Sequence, residues 1–454
     1  MGSFVFGILV AALVLTSAAC ETSSLWSVPP NAGIAATAPD ITAPDITATE
    51  RLSIADYPTI QAALDANPGR VLHVPSGDHL ISEKIRIYHN ESGLEGPGRI
   101  VQTQFDQPII EIEGAKRVLI RDLTLTRPEQ SCETHNEGIL AIKSADLYCL
   151  RVKVINNRTH SAAVALRECD GASIRDCLIE NYMRVSVDDR TANPDWGYAF
   201  NCTDGTGISV VSSQRILIDG CSIIERNFVP TRELQQKHRL GEFVHRNPQK
   251  GAIVSQQLWD AGYTENWQQG SGIIITSPDV SRQNRIVNNQ ITNAAQGIDL
   301  HCDQTIVTGN IISNSFIGMK AMHGSRNILI SGNQFSRNSL WAVGLMPGVS
   351  SETSNSDGGS IISSNIISGF GTGDAAWIWG TERAPLRFDR GQKVDDPALS
   401  NVIVSQNLID DTAPATFAYS VIIEAGPGSP TNLFFSDNVF PAGSQGISNV
   451  PLQP

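Results

Sequence analysis

Two short hydrophobic patterns take turns along most of this chain. One is a pair of apolar triplets joined by a tight turn: Ile286-Val-Asn-Asn-Gln-Ile291, Ile306-Val-Thr-Gly-Asn-Ile311 and Ile328-Leu-Ile-Ser-Gly-Asn-Gln-Phe335. It returns in Ile361–Ile366, Val402–Leu408 and Leu433–Val439. An asparagine stands at the same point each time, at Asn289, Asn310, Asn333, Asn365, Asn407 and Asn438. The second pattern alternates with a period of two, as a strand does. It includes Gly207-Ile-Ser-Val-Val211, Gly272-Ile-Ile-Ile-Thr276, Gly297-Ile-Asp-Leu-His301, Gly318-Met-Lys-Ala-Met322 and Ala376-Trp-Ile-Trp-Gly-Thr381. Burying Ile208, Val210, Ile273, Ile275, Ile298, Leu300, Met319, Ala321 and Ile378 sets one register for all of them.

The first intervals between ladder asparagines are 21 and 23 residues, and the later ones are 32, 42 and 31. Repeats of that length, each too small to bury its own apolar face, imply a solenoid whose coils stack on one another. Asparagine tolerates the left-handed backbone of a tight turn and can hydrogen-bond the next coil. Cys177 and Cys221 take the same slot in earlier coils, where they read as a stack of small residues, although adjacent rungs would permit a disulfide. The longer intervals imply loop insertions. Two further insertions fall at residues 182–206 and 228–270. The second carries a predicted helix over Thr231–His245.

The solenoid begins near residue 52. Ile60, Ala63 and Leu64 have the spacing of a short amphipathic helix, and strands follow at Arg70–Pro75 and around Leu80-Ile81. The order IQAALDA, then a strand, a Ser-Gly turn and a second strand resembles the N-terminal cap of the pectate-lyase-like superfamily. A cap covers apolar core and strand edges that an open end would expose. The asparagine ladder likewise resembles that of right-handed parallel β-helices. These resemblances imply an all-β fold: a right-handed parallel β-helix solenoid over residues 51–454 with an N-terminal helical cap and long loop insertions.

The residues before it differ in kind. An apolar run of twelve, Phe4–Leu15, is too short to span a bilayer, and small residues and Cys20 follow. Residues 1–20 therefore read as a signal peptide, and the expected location is secreted, cell-surface or periplasmic. Cys20 is a candidate lipid anchor, although Ser17 replaces the usual leucine. Residues 21–50 contain the tandem APDIT-APDIT and read as a flexible tether. The chain is 41% hydrophobic with a net charge of -13, which disfavours nucleic acid and anionic membranes as partners. No CxxC pair marks a zinc site.

Candidate chemistry lies on the outward stripe of the second pattern. Asp299 and His301 share a face roughly 7 Å apart, and Lys320 lies one coil on at roughly 4.8 Å. His323 ends Lys320's strand. A plain cross-strand ion pair would explain Asp299 and Lys320 without any chemistry, but the two insertions precede this patch directly. They bring Asp188, Asp189, Arg190, Trp196 and Tyr198, then Lys237, His238, Arg239, Trp259, Tyr263 and Trp267. Long loops in a compact domain are usually functional. Trp377 and Trp379, outward on the stripe, are candidates to stack on sugar rings.

A lyase on an acidic polysaccharide needs a cation for the uronate carboxylate, a base for the C5 proton and an acid for the leaving oxygen. Asp299, His301 and Lys320 are the catalytic candidates. Asp188, Asp189, Arg190, Trp196, His323, Trp377 and Trp379 are the substrate-binding ones. Asp299 and Asp303 could hold a metal such as Ca2+. An epimerase uses nearly the same parts. An inverting hydrolase needs two carboxyls roughly 6.5–9.5 Å apart, and Asp299 and Asp303 stand roughly 13 Å apart along the strand. The patterns match neither the usual polygalacturonase nor the classical pectate-lyase motif. The favoured reading is a polysaccharide lyase or related epimerase. The alternatives are an inverting glycoside hydrolase on the same fold and a non-catalytic carbohydrate-binding β-helix, each as monomer or trimer.

Overall fold

The computed structural model describes residues 52–188, 198–246, 262–264, 267–348, 357–374, 383–391, 396–410 and 416–454. All of them belong to one compact unit, Ala48–Pro454. The signal-like segment, the tether and Cys20 lie outside the described residues.

Short strands build three parallel sheets of 12, 12 and 11 strands among the described residues. In each sheet the strands lie side by side in chain order, so every coil adds one strand to each sheet. The helix Ile60–Ala66 caps the first coils; Thr59 accepts the Ala62 N–H at its start, 3.0 Å away. Inward rows stack like on like. Ile298 sits beside Ile273 and Met319, and all three are fully buried.

Hydrogen bonds fix the coil spacing as firmly as the core does. Asn289 Nδ2 donates to Asn310 Oδ1 at 2.9 Å, Asn310 to Asn333 at 2.9 Å, and Asn333 to Asn365 at 3.0 Å. The chain of bonds continues through Asn407 to Asn438. Each Oδ1 also accepts the backbone N–H of the preceding rung, as Asn333 does from Asn310 at 3.0 Å. A buried amide that satisfies itself and its neighbour loses nothing by desolvation. The glycine that opens each second-pattern strand has a steric cause. A Cβ on Gly297 would stand 2.3 Å from the Gly318 carbonyl oxygen and 2.5 Å from Ile312 Cγ2.

Two expectations need correction, and of the two readings of Cys177 and Cys221 the disulfide falls away. No disulfide joins the seven described cysteines. Cys177 Sγ donates to the Cys149 carbonyl at 3.4 Å and Cys221 Sγ to that of Ile174 at 3.5 Å, so the thiols point along the ladder towards carbonyls. The predicted helix is shorter, Arg232–His238, and ends where Arg239 turns left-handed with φ +52°. The chain then forms the strand Phe243–Arg246. That strand pairs with the first insertion, which is not structureless but an antiparallel hairpin of Arg184–Asp188 and Tyr198–Asp204.

Phe200, Cys202 and Phe243 form the small core of this three-stranded sheet. Its base is riveted by Glu225, which is fully buried. Glu225 pairs with Arg158 at 3.5 Å and accepts the backbone N–H groups of Met183, Asn227 and Phe228. A buried charge is tolerable where its partners are this complete.

Candidate functional site

The hairpin leads into the strand Thr206–Val211, and the second insertion leads into Ser271–Thr276. The next strands of that sheet are Gln296–Leu300, Ile317–Met322, Trp341–Met346 and Ala384–Phe388. One outward row crosses them, coil by coil: Ser209, Ile274, Asp299, Lys320, Gly344 and Arg387. Asp299 and Lys320 are therefore directly adjacent, as the spacing requires.

The three central residues meet. Lys320 Nζ lies 3.3 Å from Asp299 Oδ2, and His301 Nε2 lies 3.3 Å from Oδ1. Asp299 is 5% exposed. The imidazole contact is off the line of a hydrogen bond, leaving Oδ1 buried without an aligned donor. Burial works against ionising Asp299, but Lys320 and then His301 outweigh it and hold the carboxyl down at about 2. The group is a fixed anion that orients an ammonium and an imidazole towards the face above.

His323 joins them. Its ring meets that of His301 edge to face at 5.7 Å. Burial, with the charges of His301 and Lys320 nearby, pushes its imidazole down to about 4, so it is neutral at pH 7. Its backbone is left-handed, φ +32°, a conformation that costs energy in a residue with a Cβ. Asp357, which the sequence reading missed, holds this turn. Its two oxygens accept the N–H groups of Gly324 at 2.8 Å and Gly348 at 3.2 Å, and Gly348 packs against the His323 ring. Burial raises the Asp357 carboxyl to about 6 despite those N–H groups.

The other candidates fare differently. Asp188 closes the hairpin strand and is 3% exposed. Trp267 is also buried and Tyr263 accepts from Gln235 Nε2; both pack the insertion. Asp189, Arg190, Trp196, Trp377 and Trp379 lie outside the described residues. The rung expected from Ala376–Thr381 is filled by Ala384–Phe388, and Trp341–Met346 supplies a rung that the sequence reading skipped. Those two strands add Trp341 and Arg387, whose guanidinium lies 5.6 Å from the indole centroid. The pair Asp299 and Asp303 does not fit a calcium site. Asp299 is engaged with Lys320 and His301, while Asp303 pairs with Arg326 at 3.3 Å and accepts from Asn327 at 2.8 Å. Among the described residues no group of three acidic, histidine or cysteine side chains could hold a metal. No described helix is long and apolar enough to cross a membrane.

The sequence matches the profile of the family described as "Right handed beta helix region" over residues 108–335 and 267–450. The chain belongs to that family, and its solenoid is a right-handed parallel β-helix consistent with the pectate-lyase-like superfamily. Among curated proteins none matches significantly.

Solved structures share the fold at low identity. The catalytic domain of a GH87 alpha-1,3-glucanase in complex with nigerose superposes with a TM-score of 0.55 at 12% identity, over 88% of this chain and 65% of that one. The Agl-KA catalytic domain gives 0.51 at 12%, over 89% and 68%. The A-module of the Azotobacter vinelandii mannuronan C-5 epimerase AlgE6 gives 0.48 at 12%, over 86% and 100%. At such identity the likeness is one of fold.

Proposed function

We propose that this β-helix is a carbohydrate-active enzyme that removes the C5 proton of a uronate in an acidic polysaccharide, as a lyase or a C5 epimerase. The observation that carries the proposal is the buried Asp299 anion with Lys320 and His301 drawn onto it. Lys320 supplies the cation that meets the uronate carboxylate and acidifies the adjacent C–H. With Nε2 turned to Asp299, His301 keeps Nδ1 as the proton acceptor. His323, neutral and beside it, lines the same face. In a lyase the C5 electron pair forms the C4=C5 double bond and the C4 oxygen leaves with a proton. In an epimerase a proton returns to the opposite face of C5.

A second reading, inverting hydrolysis, draws on the split between Asp299 at about 2 and Asp357 at about 6, since acid and base carboxyls are often separated in this way. Asp357 is the weaker acid candidate because both its oxygens hold backbone. The signal-like residues 1–20 support a place of action outside the cytoplasm.

The test is incubation with a panel of polyuronates and neutral glucans. Growth of ultraviolet absorbance from unsaturated ends supports the lyase. Exchange of the C5 hydrogen with solvent, without new ends, supports the epimerase. New reducing ends without absorbance would make the enzyme a hydrolase. Retention without turnover would leave a binding module.

A further inference from the structure

The other two sheets change character halfway along the solenoid. On the first sheet one outward row runs Leu119, Tyr148, Ser173, Leu217, Arg285 and then Ile306, Leu329, Ile361, Ile403 and Phe434. Four of the last five are 37–45% exposed. The row beside it carries Arg121, Arg175 and Asp219 in early coils, then only Thr308, Ser331, Ser363, Ser405 and Ser436.

The second sheet switches at the same coil. Its outward row begins Arg99, Thr124 and Lys153. It ends with Ile311, Gln334, Ile366, Leu408 and Val439, of which the four aliphatics are 38–61% exposed. The turn of the asparagine ladder is all that separates the two rows.

Scattered exposed isoleucines need no explanation, but a contiguous band of them does. We infer that this band is where a second copy of the chain packs, its coils alongside the first. Three features favour that occupant. The chain carries a net charge of -13, so two copies repel wherever charge is exposed, and here the outward rows hold only Asp410 and the turn between them only Asp437, both in the last coils. Depletion of charge is the mark of an interface centre. The ridges recur once per coil, at roughly 4.8 Å, and another solenoid presents the same pitch and can mesh over the whole length. Nine such side chains, eight of them 37–61% exposed, and the serines between them form a continuous surface against the roughly 800 Å² that each partner buries in an interface of standard size. A two-fold axis makes the band its own complement.

The experiment is sedimentation equilibrium of the full chain from about 1 to 100 μM. A dimer is expected, and the double variant Ile361→Lys/Ile403→Lys should weaken it at least about 100-fold. Circular dichroism should remain unchanged, because both side chains point to solvent. Ser222→Lys, on the early coils, is the control and should leave the dimer intact. A monomer throughout the range, or an assembly that the double variant leaves untouched, overturns the inference.

Discussion

Replacing Lys320 with methionine keeps most of the stem and deletes the charge that faces Asp299. In the native protein the Asp299 carboxyl sits at about 2, against an ordinary 3.8. That difference corresponds to about 2 kcal/mol of stability at neutral pH. It is fully present above pH ~4 and is lost as the pH falls through ~2, because the folded value is the depressed one. Without Lys320 the balance inverts. Burial, the strongest influence on Asp299, then acts against a charge that His301 alone supports. Breaking a buried pair from one side typically costs about 3–5 kcal/mol.

Lys320→Met should therefore unfold at lower urea at pH 7, by about 3 kcal/mol. The gap to the native chain should narrow as the pH falls from ~5 to ~2, where a protonated Asp299 needs no partner. Adding Asp299→Asn should recover most of the loss, since a neutral amide tolerates the site. A cost under about 1 kcal/mol at pH 7, or a gap that ignores pH, would refute the argument that Asp299 is a desolvated anion held by Lys320.

Other outcomes can be checked alongside. His301→Gln should lower turnover of the responsive polysaccharide by roughly 10²–10⁴-fold, with a smaller loss of stability than Lys320→Met, because Lys320 remains to hold the Asp299 anion. Asn333→Ala removes three ladder bonds and the side-chain bond to the Val307 carbonyl, while the backbone N–H keeps its bond to Asn365; it should cost about 3–4 kcal/mol in urea unfolding. Of the seven described thiols, only that of Cys132 should react quickly with a thiol reagent in the native state. The other six are buried, and burial pushes Cys302 up to about 12. For Asp357 the sign is opposite to that of Asp299. Its folded value of about 6 is raised, so the native chain should gain stability relative to Asp357→Asn as the pH falls from ~7 to ~4, readable from paired melting curves.

The ladder, the cap and the Asp299–His301–Lys320 cluster were legible because each rests on a strict period. Asn at 21- and 23-residue intervals fixes the coil, and period-two alternation in Gly297–Asp303 and Gly318–His323 fixes which side chains share a face. The rung Trp341–Met346 was not legible, since Trp-Ala-Val-Gly-Leu-Met has no outward polar residue to reveal alternation. Ala376–Thr381 has the clearer alternation in sequence, whereas Ala384–Phe388, which forms the rung, carries Pro385, a residue that argues against a strand. Asp357 was invisible for another reason. It acts through backbone N–H groups of Gly324 and Gly348, and no residue spacing records that. The insertion hairpin escaped too, because its strands pair with each other and with Phe243–Arg246, outside the coil repeat.

Rung-to-rung bonds of the asparagine ladder stay at 2.9–3.0 Å while the chain between rungs runs from 21 to 42 residues. A coil can thus double in length without shifting its neighbours. The alignment of Lys320 on Asp299 is set by the ladder and the inward stacks, whereas the surroundings are set by loops of free length. In evolutionary terms these are separate variables: insertions can be exchanged, lengthened or lost to suit a new polymer while the proton-transfer geometry beneath them is inherited unchanged.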